Sequence, residues 1–450
     1  MSFHLNLSLM NPGQVRTAWR LPQRDPLAWI DVERYRRLAR IAERARIHAI
    51  FLGDSPGLGT GIASHPEAGL EPTVLFSTLL AGTEGLGAIA TASSTYNEPY
   101  NIARRFLALD HVTGGRAAFN VVTTFAPAAA AAFGLDGNPA TADRYRRADE
   151  FLRVVLGLWD GWDDGAIVGD RERGVFADLE RIHNVAHVGE ALRVRGALSV
   201  PPSPQRRPVL VQAGGSPGGL AIGARWADVI FTAGQDLQEA ADFRRETKER
   251  AAAYGRDPSQ IVTSLGVVVV AESTEREARA RLEALVDSID LPAAVLGVAA
   301  QLGLEPDRID ADTLLTPELL ASATRPPASA GFHRSTAGLV ASSRVTVREL
   351  IARSGGGGGH RVIAGTPESI ADDLQRWHAA GAADGFTVMP ADTGVDFEHF
   401  AEQVVPVLQE RGAFQREYRG ATLRENLGLD ALVPGADRAR AAQPELVSAQ

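Results

Sequence analysis

Residues 87–124 read GAIATASSTYNEPYNIARRFLALDHVTGGRAAFNVVTT. A short β-rich apolar run, 87–92, gives way to helical periodicity over 100–113 and then to a second apolar run, 117–122. Runs this short and this continuously apolar are those of strands buried on both faces. A helix between two of them is the connection a parallel pair needs.

The alternation extends both ways. Further runs at 3–9, 49–53, 209–213, 229–233, 264–271 and 385–389 make eight candidate strands. Helical patterns at 31–44, 72–83, 142–160, 217–227, 237–255 and 274–289 lie between them, 368–380 precedes the last strand and 397–412 follows it. Such a chain closes naturally into an α/β (β/α)8 TIM barrel with insertions. The alternative, a doubly wound open sheet, needs a dinucleotide-binding glycine turn after its first strand, and Leu9-Met-Asn-Pro-Gly13 is not one.

A minimal barrel takes about 250 residues, which leaves roughly 200 of this chain to insertions and extensions. The sequence predicts one barrel domain, 1–430, with insertions at about 161–207 and 291–366, and a C-terminal tail at 431–450. The first insertion is turn-rich and ends in Pro201-Pro-Ser-Pro204; the second contains Ser354 and five glycines, 355–359, then His360.

Composition removes several chemistries. With no cysteine there is no disulfide, thiolate metal site, iron–sulfur cluster or cysteine nucleophile. The single lysine, Lys248, lies in a charged helical pattern, so a phosphate-binding GxxxxGK[ST] loop is absent and a Schiff-base lysine is disfavoured. Net charge is −9 with dispersed arginines, which argues against nucleic acid. The start has no basic-then-apolar leader, and no uncharged run nears the ~18–20 residues of a membrane span, so a cytoplasmic protein that meets no membrane is expected. His183 and His187 have i, i+4 spacing but lack the acid of a zinc-protease motif, and no metal site is expected.

In barrels of this kind the active site forms where strands end. Those positions carry Asp54, Thr91, the pair Thr123-Thr124, and Gln212-Ala-Gly-Gly-Ser-Pro-Gly-Gly219. The last is the best phosphate candidate, because glycines let backbone N–H groups approach and the next helix offers its positive N-terminus. The same atoms would make an ordinary N-cap, Ser216 before Pro217. Asp54 could equally cap a turn, and Tyr145, early in a helix, could equally be packing. Residues 355–359 read as a flexible hinge, with His360 beside it as a possible acid or base.

Six segments carry a closer likeness: FLGDSPGL (51–58), residues 91–124 of the opening stretch, RYRRADEFLRVVLGLWDGW (144–162), RPVLVQAGGSPGG (207–219), GHRVIAGTPESIADDLQRW (359–377) and GAADGFTVMP (381–390). In register over about residues 1–430, they resemble the nitrilotriacetate, dibenzothiophene-sulfone and long-chain-alkane monooxygenases of the luciferase-like flavin monooxygenase group. The resemblance implies a two-component reaction: a separate NAD(P)H:flavin reductase supplies reduced FMN, O2 adds to it, and the flavin (hydro)peroxide passes one oxygen atom to a small organic substrate. It implies flavin contacts at Asp54, Thr91, Thr124 and Tyr145, with Gly215 and Ser216 on the phosphate, and a homodimer or homotetramer.

Three positions depart from the group. Thr141, Phe125 and Leu21 stand where members often carry histidine. The Thr141 hydroxyl can still donate to the cofactor, and His360 remains as the catalytic candidate. Two other readings stay open: a deazaflavin-dependent oxidoreductase on the same barrel, and a flavin-binding protein without catalysis.

Overall fold

The computed structural model describes residues 3–67, 69–124, 126–327, 330–354 and 359–443. Its centre is a closed parallel barrel of eight strands: β1 His4–Ser8, β2 Ala49–Leu52, β3 Gly87–Ser93, β4 Ala117–Val122, β5 Val209–Ala213, β6 Val229–Thr232, β7 Val262–Ala271 and β8 Gly385–Pro390. Neighbours in sequence pair in order, and β1–β8 completes the ring. The eight apolar runs are these eight strands.

Alternation along β3 explains the layers. Ala88, Ala90 and Ala92 join the core shared with the outer helices, while Ile89, Thr91 and Ser93 alternate toward the barrel axis. Small residues on the outer face of β3 let helices approach closely. In Pro99–Val112, proline occupies the first turn and the apolar stripe Ile102, Ala103, Phe106 and Leu107 is buried. Phe106 packs on Phe119 of β4 with ring centroids 4.4 Å apart, and Trp159 donates from Nε1 to the Ala103 carbonyl at 2.8 Å.

A ninth strand, Arg361–Gly365, was not foreseen, since it falls in the expected second insertion. It pairs with Val267–Ala271 of β7, while β6 pairs with Val262–Leu265 on the same edge. The change of partner falls at Gly266. The rest of that insertion is a helical unit, Leu291–Leu302, Pro317–Ala321, Ala330–Ser342 and Val347–Arg353, packed around Val298, Leu302, Val345 and Ile351. The first insertion forms two hairpins, Ile167–Asp170 with Val175–Ala177 and Val185–Val188 with Arg193–Gly196. His183 bonds Asp163 there, and His187 bonds Glu150.

The chain after residue 419 closes the floor of the barrel. Leu423, Leu427 and Leu429 cover Ala49, Ala118, Val209, Val229 and Val262 at the strand starts. Buried Arg207 links the layers, bonding Asp228 at 2.8 Å and Asp437 at 2.6 Å, and Arg424 joins Asp228 at 2.8 Å. Burial disfavours the Arg207 charge, but the two carboxylates outweigh it and raise the pKa; burial likewise opposes ionisation of Asp228, and Arg207 and Arg424 overcome it. The stretch expected to be a polar tail thus carries the helix Ala436–Ala441, packed against Thr141–Trp159, with Asp160 accepting from Gly435 and Arg438 N–H at 3.0 Å. Among the described residues no helix is long and apolar enough to cross a membrane.

Removing one member of a buried ion cluster strands the others. Arg207→Met should lower the unfolding free energy by about 3–5 kcal/mol, read by urea denaturation. A change within experimental error would show that the cluster is dispensable.

Candidate active site

A cavity of about 870 Å³ opens at the C-terminal ends of the strands. That is within the ~300–1,000 Å³ typical of ligand sites. Asp54, Thr124, Thr141, Tyr145, Gly215, Ser216 and His360 all line it; of the expected site residues Thr91 alone does not. Thr91 sits one layer down, buried on β3, accepting from Asn120 Nδ2 at 2.9 Å. Phe125 and residues 355–358 of the expected hinge lie outside the described residues. Leu21 packs with Val15 and Met389 on the β8 side.

The glycine turn after β5 feeds the helix Pro217–Trp226. Ser216 caps it, its Oγ accepting from Gly219 N–H at 3.0 Å, and the Tyr145 hydroxyl stands 2.6 Å from the same Oγ. Gly218 makes this approach possible, because a Cβ there would lie 2.7 Å from the tyrosine ring. One hydroxyl therefore both fixes the helix end and lines the cavity beside the half-buried glycine turn. Arg334, from Ala330–Ser342, braces the turn by donating from Nη1 to the Gly215 carbonyl at 2.6 Å while paired with Glu239 at 2.7 Å.

Opposite features shape the wall after β4. Thr124 holds φ at 35°, unfavourable for a β-branched residue and costing about 1–3 kcal/mol. That conformation brings its Oγ1 to 2.8 Å from Ser93 Oγ. Thr141 opens the helix Thr141–Trp159 and accepts from Arg144 Nη2 at 3.2 Å. On the β2 side, burial and the charge of Glu71 raise the pKa of Asp54, against the Ser55 N–H and Arg105.

His360 is buried between Phe231 and Phe332, ring centroids 5.4 and 5.5 Å away. It fits because Gly266 has no side chain; a Cβ there would overlap the imidazole. Nδ1 has no hydrogen-bond partner, and burial lowers the pKa from 6.5 to about 4, weakly opposed by the Gly266 backbone. The ring is thus neutral near pH 7, able to donate or accept one hydrogen bond but not to act as a charged acid.

Sequence reasoning missed three arginines. Arg16 and Arg144 line the cavity and form no ion pair among the described residues; Arg144 Nε is also buried without a partner. Nothing in local pattern distinguishes them from the other arginines of the chain, and Arg334 reaches the site only through the folding of the second insertion.

The cold imidazole makes a pH prediction. The unfolded chain takes up a proton near 6.5 that folded His360 refuses down to about 4. Its contribution to stability is therefore complete above pH 6.5 and is lost as pH falls toward 4. His360→Leu should flatten the decline in unfolding free energy between pH 7 and 4.5; identical slopes in the two proteins would contradict the assignment.

A family model described as luciferase-like monooxygenase matches residues 3–384. N-acetyl-S-(2-succino)cysteine monooxygenase of Bacillus subtilis (strain 168) is 39% identical over 430 residues, covering 95% of this chain and 96% of that protein. Nitrilotriacetate monooxygenase component A of Aminobacter aminovorans is 40% identical over 424 residues, covering 91% and 93%. The solved structure of riboflavin lyase with modified FMN and its substrate riboflavin is similar at a TM-score of 0.85 and 29% identity, covering 98% of this chain and 100% of that one.

Proposed function

This chain belongs to the luciferase-like monooxygenase family and is a flavin-dependent monooxygenase using reduced flavin and O2; from that premise we propose that its flavin is FMN, held in the cavity above the barrel. The observation that carries the reading is the glycine turn 214–215 running into a capped helix, with the Tyr145 hydroxyl on Ser216. Backbone N–H groups, two hydroxyls and a helix N-terminus on one wall have the chemistry of a phosphate site. Arg144, with a buried Nε lacking a partner and a place on the same helix as Thr141 and Tyr145, fits a second negative charge there. The FMN named with riboflavin lyase supports the choice of flavin.

In this reading Gly215, Ser216, Tyr145, Thr141 and Arg144 hold the phosphate end. Asp54 and Thr124 border the ring, with Thr91 supporting it from below. When bound, the reduced flavin supplies the electrons by which one atom of O2 enters the substrate and the other leaves as water. The chain's own work is to bind, orient and exclude water. Leucines close the floor, and Phe231 and Phe332 make an apolar wall on either side of His360. His360, neutral and with Nδ1 turned to the Gly266 backbone, adds an uncharged ring to that wall.

A partner flavin reductase follows from the two-component relatives. The exposed apolar residues of the first insertion, among them Phe176, Leu179 and Val188, support self-association as a homodimer or homotetramer.

Two measurements test the proposal. Purified protein with an NAD(P)H:flavin reductase and FMN should oxygenate a substrate of the family type only when O2 is present; turnover without O2 would overturn it. Ser216→Asp puts a carboxylate where the phosphate is placed and should weaken FMN binding tenfold or more, about 1.4 kcal/mol, in a flavin titration. Unchanged affinity would remove Ser216 from the phosphate site.

A further inference from the structure

Of the two guanidinium groups on the cavity wall without a carboxylate partner, Arg144 belongs to the β5 side with Tyr145 and Ser216. Arg16 does not. It follows β1, and in a closed ring of eight strands β1 lies across the mouth from β5. The cation at Arg16 thus faces the region left over once the glycine turn is occupied.

Its backbone is fixed. Gln14 and Val15 N–H donate to the Pro390 and Ala391 carbonyls at 2.9 and 3.1 Å. Gly13, at φ 149°, presses on Ala391 so closely that a side chain would collide with it. Downstream, Thr17 bonds Ser288 at 2.8 Å, Arg20 donates to the Ser288 carbonyl at 2.9 Å, and Arg24 pairs with Asp392 at 2.7 Å. These bonds anchor the turn Arg16–Arg20, while the exposed Arg16 guanidinium makes no hydrogen bond or ion pair among the described residues. The carboxylate whose charge acts on it, Glu67, is beyond ion-pair distance and accepts from Gly59 N–H at 2.6 Å.

A guanidinium carried by a fixed turn on a cavity wall, with its N–H donors taken by no other group of the described residues, suits a planar anion arriving from outside the chain. Because the turn is already ordered, binding has only the side-chain rotamers of Arg16 left to fix. The phenyl rings of Phe231 and Phe332 on the same cavity offer the apolar complement.

We propose that the substrate is a small organic carboxylate, and that Arg16 binds its carboxylate group across the mouth from the FMN phosphate and so determines specificity. This rests on the FMN reading above and names the substrate class for the same site.

The test uses the full chain with flavin reductase, FMN and O2. The panel is nitrilotriacetate, N-acetyl-S-(2-succino)cysteine, their methyl esters, and a sulfonate analogue of each acid; product formation and perturbation of the bound-flavin spectrum are both read. Expected are turnover or spectral binding with a free acid, at least tenfold weaker response with its ester, and a KM raised tenfold or more in Arg16→Met with FMN affinity unchanged. Arg16→Lys should recover part of the loss. Esters accepted as well as acids, sulfonates preferred over carboxylates, an unchanged KM in Arg16→Met, or no spectral response of wild type to any acid would each overturn the proposal. Loss of FMN affinity in Arg16→Met would also overturn it, by moving Arg16 to the cofactor. Failure of wild type to bind FMN at all would instead strike the underlying reading.

Discussion

Each of the eight barrel strands has its hydrogen-bonding edges satisfied by parallel neighbours, and that closure governs everything above and below it. Parallel strands in a ring all end on one face, so eight loops converge there. The glycine turn of β5, the strained Thr124 after β4, the turn carrying Arg16 after β1 and Asp54 after β2 meet because the ladder allows them no other direction. The opposite face has only short returns to cover it, and the chain supplies leucines and a buried ion cluster from its far C-terminal region to do so.

Closure also makes one edge of β7 a shared resource. β7 is longer than its neighbour β6, and its upper half would present unpaired N–H and C=O groups beyond Leu265. Arg361–Gly365 takes up that edge, and in returning from the helical insertion it delivers His360 to the cavity at the level of Gly266. A backbone requirement, the pairing of an exposed strand edge, thereby fixes a polar side chain among phenyl rings. Desolvation then keeps the imidazole neutral.

Much of this was legible in residue order, though unevenly. The eight apolar runs and the separating helical periodicities are local signals, and they located every barrel strand. The Ser216-Pro217 pair after two glycines was readable as a helix start. Less was legible where a residue's role depends on what it meets. Arg361–Gly365 is too short and too close to the glycine run to stand out as a strand, and only the unpaired stretch of β7 makes it one. The region after 419 looks polar in composition, yet its few leucines land on the barrel floor and Asp437 lands on Arg207.

The sequence by itself determined the alternation of strand and helix, the absence of thiol and lysine chemistry, and the glycine turn that runs into a serine-capped helix, because each depends on neighbours a few positions apart or on composition alone. Only the tertiary structure decided which arginines line the cavity without an ion pair among the described residues, Arg16 on the β1 side and Arg144 on the helix whose Tyr145 meets Ser216. Charge pairing is settled between residues hundreds of positions apart, as Arg24 with Asp392 and Arg207 with Asp437 show. An arginine left without such a partner can be recognised only after all the others have found theirs.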